Sequence, residues 1–500
     1  MKSISTSRNV LFGFLGWVLP LGCTVAFTPM IVHGLGPDAY GLYAVIVGVI
    51  GYLASMNFNV GRSVTKYISA CLPESQARLA GEVLSTSFFL YMFIGVAGAV
   101  LLVASADWLV VRVLAIAPVY QSTARLSLYL GAAGLTFTLL AQLLSAAPQA
   151  LQRFDLYGYV TIGSGVAAIT GNGLMVWLGF GFAALIAWNV VVGLFACLAF
   201  AAIARRLLPG VRLTVRLRKS LLMELLRFSG AVTIYQVAGN LIVLFERGWI
   251  TRVLGSAAVT YYVIPMTIAI YIHAFIASLT QVVFPMASEA SAGRDMERVH
   301  RTYTHALKYI CVLLVFIAVS LFSGSRELLA NWMGQDFSRA ASEVLRVHVV
   351  TFTLMALAVV PWQIADGIGF PRWNAVLSLV WLLFMIPLAI TLVGRMGILG
   401  MAYARGIVVV LSVPFYIGYI ERRVFGRILW SHWWRIGYKL AAAGLVMALI
   451  LNWLLLRSPS GWIWLAVDVF LGGLSMAAVL WIAGYLDGGE KEWLKQFSPI

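Results

Sequence analysis

The chain has 500 residues, 61% of them hydrophobic and only 11% charged. A soluble domain has no use for so much apolar surface, whereas a polytopic membrane protein needs about 20 apolar residues for each span. The formal net charge of +16 would suit a nucleic-acid binder, but the basic residues collect in alternate connections between apolar runs, which is how membrane topology is set. They read as orientation signals and contacts for anionic headgroups, and no nucleic-acid partner is expected.

At about 35 residues for a span and its loop, the length accommodates roughly 14 transmembrane helices. The first is predicted over 10–32. It is interrupted by Pro20 and Pro29 and lacks a small-x-small cleavage site, so it reads as a retained helix and not a signal peptide. The turn from His33 to Gly41 leads to a second helix over 42–60, followed by Arg62 and Lys66. Helices three to six fall at 83–104, 124–146, 159–179 and 182–204, and the most basic loop follows, from Arg205 to Lys219. Helix seven covers 228–253 and helix eight 258–284; helices nine to twelve cover 306–323, 344–365, 375–393 and 398–420. The last two take 440–456 and 462–485. With the N-terminus inside, roughly 25 of the 35 Lys and Arg fall on the cytoplasmic side and about 8 outside. This predicts both termini in the cytoplasm and small outer connections, the longest running from Arg326 to Glu343.

An internal repeat is visible. The run Leu35-Gly-Pro-Asp-Ala-Tyr-Gly-Leu-Tyr43 aligns with Leu254-Gly-Ser-Ala-Ala-Val-Thr-Tyr-Tyr262, an offset of 219 positions. The chain then divides into a six-helix lobe over 1–220, a second over 221–436, and two added helices over 437–500. Six is even, so the lobes share one membrane orientation. Transporters built from such repeats bind their substrate between the halves, which predicts a central cavity.

Charged side chains at membrane depth cost about 2.5–3.5 kcal/mol on insertion scales and tend to be functional. Glu246 and Arg247 sit inside helix seven with no loop signal nearby. They could face a charged substrate or coupling ion, or be satisfied by another helix; Arg247 could also snorkel to the outer interface. Arg62 at the inner end of helix two reads as a phosphate contact or a topology charge. Arg405 and His273 could line a path, and a histidine suits proton coupling, although a lone histidine in a span is also a common hydrogen-bonding group. Asp366 lies where it could gate the path or cap a turn. Pro265, Pro361, Pro387 and Pro414, like Pro20 and Pro29, read as interruptions of helices. Cys23, Cys71, Cys197 and Cys311 show no metal-ligand or disulfide spacing. No nucleotide loop, zinc motif or nucleophile elbow occurs, so no cofactor, metal or catalytic activity is expected.

Several runs resemble the polysaccharide biosynthesis exporters, the oligosaccharide-lipid (O-antigen type) flippases of the multidrug/oligosaccharidyl-lipid/polysaccharide superfamily. They are Leu35-Gly36-Pro37-x-x-Tyr40-Gly41-Leu42-Tyr43, Asn59-x-Gly61-Arg62, Glu246-Arg247-x-x-Ile250-x-x-x-Leu254-Gly255 and Phe284-Pro285-x-x-Ser288. The family's usual acidic residue in the third run is Asp, where this chain has Glu246. The resemblance implies an all-α, two-lobed fold and a polyprenyl-diphosphate-linked oligosaccharide as cargo, moved to the outer leaflet of the inner membrane for surface polysaccharide assembly. On that cargo Arg62, Arg247, Arg252 and Arg405 are the expected binding cations and Glu246 the coupling or gating carboxylate, with His273 and Asp366 as further coupling or gating candidates from their own positions. Membrane lipids and polysaccharide polymerase machinery are the implied partners. Rival readings are a multidrug or lipid II exporter of the same superfamily, and a glycan polymerase, against which the small outer connections argue.

Overall fold

The computed structural model describes residues 6–55, 61, 64–65, 77–209, 219–280, 283–292 and 295–485. Among them all regular structure is helical. Among the described residues eleven helices are long and apolar enough to cross a membrane, and the protein is a multi-pass membrane protein. One of these, Arg372–Phe425, has a break at Gly397 (φ 58°, ψ −140°) and so supplies two spans. Thr6–Leu35 and Lys219–Leu254 are further long helices, and Leu19–Leu35 is an apolar stretch within the first. Large apolar side chains face outward along these helices, among them Phe93, Trp177, Phe415 and Ile463, each more than 70% exposed. A lipid environment accepts such a surface, which water would not.

The chain forms two compact units, Met1–Thr260 and Tyr261–Ile500. The first contains α1 (Thr6–Leu35), α2 (Pro37–Ser55), α3 (Ala77–Trp108, closed by a π-helical turn at Leu109–Val113), α4 (Pro118–Leu144), α5 (Ala146–Ala150), α6 (Phe154–Trp177), α7 (Phe182–Leu207) and α8 (Lys219–Leu254). Its core joins α3, α4 and α7 through Val83, Tyr91, Leu135, Leu139, Leu143 and Phe200. Helix α2 lies against α4 and α8. Helix α9 (Ser256–Leu279) begins in this unit and continues into the second.

The second unit contains α10 (Val283–Ala292), α11 (Met296–Ser323), α12 (Ser325–Met333), α13 (Gln335–Leu357), α14 (Val359–Gly367), α15 (Arg372–Phe425), α16 (Trp430–Leu455) and α17 (Trp462–Ile482). One core joins α11, α16 and α17 around Leu440, Met447 and Met476; another joins α14 and α15 around Ala365, Val413 and Ile420.

Several boundaries differ from the sequence reading. The supposed outer loop from Arg326 to Glu343 is helix: α12, then a reversal at Gly334 (φ 96°), then the first turns of α13. Its charges pair along the helix, Arg339 with Asp336 at 3.1 Å and Arg346 with Glu343 at 2.6 Å. Such a segment lacks the apolar run that marks a span, so hydropathy reads it as loop. In the same way α11 starts ten residues before the predicted 306, where the Asp295 carboxylate accepts from the Arg298 N–H at 3.0 Å and caps the first turn. The prolines do not break their helices: Pro20 and Pro29 lie inside α1, Pro265 inside α9, and Pro387 and Pro414 inside α15. Neighbouring helices and local adjustment re-satisfy the freed carbonyls in such spans. Only Pro361 is near an interruption, in the first turn of α14.

The repeat has a direct structural counterpart. Helix α1 ends at Leu35 and α8 at Leu254; Gly36 (φ 80°) and Gly255 (φ 87°) then take the left-handed conformation, and α2 and α9 begin at the next residue. Only glycine adopts that φ without cost. The two turns clasp each other. The Asp38 carboxylate accepts from Ser256 Oγ at 2.6 Å and from the Ala257 N–H at 3.2 Å, and Thr260 Oγ1 donates to the Pro37 carbonyl at 2.6 Å. A side chain at Gly41 would overlap the Ser256 carbonyl, 1.9 Å from its Cβ position. Replacing Asp38 with Ala removes the N-cap of α9 and should lower stability by about 1 kcal/mol, read as a lower Tm of the purified protein in detergent.

Candidate functional site

The charged pair on α8 is embedded, as its place in the sequence predicts. Glu246 is fully buried, and Arg247, one position on and about 100° around the helix, reaches α2. Its Nη1 donates to the Ala44 carbonyl at 2.7 Å. The guanidinium lies over Gly48, where a Cβ would come within 2.7 Å of Nη1. Arg247 Nε is buried and has no hydrogen-bond partner. Arginine carries five N–H donors in a rigid fork, so one backbone carbonyl fixes the head without using up its capacity. Thr251 Oγ1 donates to the Arg247 carbonyl at 2.7 Å, and Phe245 stacks on Trp249 with ring centroids 5.9 Å apart.

Arg252 points elsewhere. It is exposed, and its Nη1 donates to the carbonyls of Arg112 and Val113. It thereby caps the π-helical turn that ends α3. Arg62 lies outside the described residues; its neighbour Gly61 donates its N–H to Tyr91 Oη at 3.1 Å.

In the second unit Arg405 is buried, two turns beyond the Gly397 break in α15, with its guanidinium carbon 5.5 Å from the centre of the Phe352 ring. The same ring lies 6.0 Å from His348, and His348 meets Tyr262 edge-on at 4.9 Å. His348 is fully buried and neither ring nitrogen has a hydrogen-bond partner. His273 is half-buried on α9 and is not part of this cluster. Asp366 ends α14 and accepts from Asn374 Nδ2 at 2.7 Å; Asn374 in turn accepts from Tyr416 Oη. This chain of hydrogen bonds ties the α14–α15 turn to the second half of α15.

His348 was absent from the candidates read in sequence. It lies beside Arg346 near the predicted start of helix ten, where a histidine reads as interfacial; the rule that marked Glu246, a polar group in an apolar helix, could have found it had α13 been placed correctly. An unsatisfied buried imidazole costs about 1–3 kcal/mol. His348→Phe, of similar shape and with no polar atom, should therefore raise the Tm of the purified protein.

These features define a class: a polytopic membrane protein, helical throughout its described residues, that carries charged side chains inside long helices, Glu246 and Arg405 buried and Arg247 half-buried. Solved structures share the fold. The structure titled "Lipid II flippase MurJ, inward closed conformation" superposes with a TM-score of 0.77 at 14% identity, covering 95% of this chain and 98% of that one. An inward-facing multidrug resistance MATE family transporter of the MOP superfamily gives 0.70 at 16% identity, over 83% and 98%. The chain belongs to the family described as "Polysaccharide biosynthesis protein", which matches residues 35–342, more than half of its length. It is 24% identical over 414 residues to a Shigella flexneri protein named "Putative O-antigen transporter", covering 82% of this chain and 96% of the other.

Proposed function

We propose that the protein is a flippase that carries a polyprenyl-diphosphate-linked oligosaccharide from the cytoplasmic to the outer leaflet of the inner membrane, with both termini in the cytoplasm. The family and the near full-length likeness to an O-antigen transporter support the cargo class. The observation that carries the reading to residues is Arg247, half-buried on α8, with Nη1 on the Ala44 carbonyl and Nε unpartnered. A guanidinium so placed is a fixed donor for a phosphate, and charge-assisted bonds of this kind are the strong ones. The isoprenoid tail can remain in lipid while the polar head exchanges its hydration for such donors. In this reading Arg62 and Arg405 supply further positive charge. Arg252 contributes at a rim, since two carbonyls already hold it. Glu246, His273 and Asp366 are the coupling or gating groups. The lobes 1–220 and 221–436, with the added helices 437–500, are the frame that alternates access. Transport, and not catalysis, is the activity, with polysaccharide polymerase machinery acting on the product.

The test is deletion of the gene and identification of what accumulates. A diphosphate-linked oligosaccharide held on the cytoplasmic leaflet and cleared by the wild-type gene is the expected result. Accumulation of lipid II would move the assignment to cell-wall precursor export, and an unchanged lipid-linked pool would refute it.

A further inference from the structure

The last two helices, α16 and α17, help close a polar pocket that no step of the proposed transport uses. Helix α12, the start of α13 and the α16–α17 turn enclose about 270 Å³. Helix α12 supplies Arg326, Glu327 and Asn331, and Gln335 opens α13. Ser458 comes from the α16–α17 turn and Asp468 from the second turn of α17. All of these lie within the continuous described stretch 295–485. Asp468 is the single charged residue of α17, and a carboxylate in so apolar a helix is costly unless it has work to do.

Hydrogen bonds hold the walls. Asn452 Nδ2 of α16 donates to Ser323 Oγ at the end of α11, at 3.1 Å. Ser338 Oγ of α13 donates to the Arg326 carbonyl at 2.7 Å, and Arg346 Nε to Ser325 Oγ at 3.0 Å. Gly324, between α11 and α12, packs beneath Leu465 of α17, whose Cδ1 lies 3.4 Å from the position of a Cβ there. Asp468 is the buried member of the polar set, 2% exposed. Ser458 Oγ donates to its Oδ1 at 2.8 Å, while its Oδ2 is buried with no hydrogen-bond partner. Buried acceptors are rarely left so, and the site calls for a ligand that brings a donor.

The surroundings fix the depth. Trp453 near the end of α16 and Trp462 and Trp464 at the start of α17 are all exposed, and exposed tryptophans of this kind mark the headgroup level of a bilayer. The Arg457 guanidinium lies 4.3 Å from the centre of the Trp453 ring, at the same level. Asp468 is six residues beyond Trp462, about 9 Å further along the axis at 1.5 Å per residue. The pocket therefore opens at the membrane surface and reaches through the headgroup layer, so its ligand is polar.

The lining mixes donors and acceptors. The guanidinium donates, the carboxylates accept, and the two amides and the serine do both. Two carboxylates beside one guanidinium disfavour an anion, which sets a phosphate aside. A proton or a metal ion needs neither this volume nor the amides. A sugar ring answers each feature. Its hydroxyls both donate and accept, adjacent ones match planar carboxylate and amide groups, and Ala330, Leu455 and Leu465 offer an apolar flank to its C–H face. The volume lies just below the range of about 300–1,000 Å³ that holds drug-sized ligands, so the pocket takes one ring and not a chain. We propose that it binds a single neutral sugar ring at the membrane surface, with Asp468 Oδ2 accepting from a ring hydroxyl. That this surface is the outer one, from which α17 returns to a cytoplasmic C-terminus, and that the ring belongs to exported glycan, rest on the export reading; the binding itself does not.

The test uses the full-length protein in phosphatidylethanolamine nanodiscs, titrated with glucose, galactose, N-acetylglucosamine and rhamnose and followed by saturation-transfer NMR. Wild type should bind at least one of the four, and Asp468→Asn, which keeps an acceptor for Ser458, should bind it at least tenfold more weakly. If that variant does not fold, Asn331→Ala, at a half-buried position, should show a loss in the same assay. In cells, lowered surface polysaccharide in Asn331→Ala assigns the ring to the exported glycan. Unchanged surface polysaccharide beside lost binding in nanodiscs assigns it to the headgroup of a resident glycolipid, whatever becomes of the export reading. Equal binding by wild type and a folded variant, no binding of any of the four sugars, or stabilisation by calcium without sugar binding overturns the proposal.

Discussion

Arg247→Ala is expected to abolish most surface polysaccharide export while the protein still inserts and accumulates. Losing a charge-assisted contact to a phosphate costs about 1.5–3 kcal/mol, which is roughly ten- to a hundredfold in rate. The side chain also gives up its bond to the Ala44 carbonyl, but that carbonyl sits within a helix, so little stability should go with it. Arg247→Lys is the sharper variant. Lysine keeps the charge and loses the fork, so it cannot donate to Ala44 and to a phosphate with the same rigid geometry. An intermediate level of surface glycan is expected, measured against membrane-inserted protein. Wild-type glycan in Arg247→Ala would remove the residue from the transport path.

Glu421→Ala should produce the largest loss of stability among these variants. The carboxylate is fully buried and accepts from three donors, the Tyr303 hydroxyl, the Leu429 amide and the Trp433 indole. Each buried donor left without an acceptor costs about 1–3 kcal/mol, so the sum reaches at least about 3 kcal/mol. Glu421→Gln retains one acceptor oxygen and should fall between. The measurement is thermal unfolding in detergent, followed through tryptophan fluorescence because Trp433 is one of the donors. A Tm within a degree of wild type for Glu421→Ala would show that the α15–α16 turn is held by other contacts.

The spans were legible in the sequence because each needs a long apolar run, and little else in this chain has one. The turns at Gly36 and Gly255 were legible because a glycine following a helix end is a local signal that recurs 219 positions later. The burial of Glu246 was legible for the same kind of reason, as an acid in an apolar helix. What escaped were partners distant in sequence. Arg247 meets a carbonyl 203 residues away, and Glu421 meets a tyrosine 118 residues away. Glu421 reads as one charge in a surface run with Arg422 and Arg423; only the tertiary approach of Tyr303 reveals it as an interior anchor. The amphipathic starts of α11 and α13 escaped because their charges are paired or solvated beyond the apolar stretch, where hydropathy carries no helical signal.

The clasp between the two glycine turns bears on biosynthesis. Asp38 and its partner Ser256 are separated by 218 residues, and ribosomes add about 5–20 residues per second. The first turn therefore waits roughly 10–40 s for the second to be made. Until then the amides at the start of α9 do not exist, and Asp38 must be satisfied by water or headgroups at the membrane surface. Assembly of this unit is in that sense post-insertional: among the described residues seven long helices precede the helix that locks the first two. Truncations ending before Ser256 should be protease-sensitive near Asp38, and those extended past Thr260 should gain protection there.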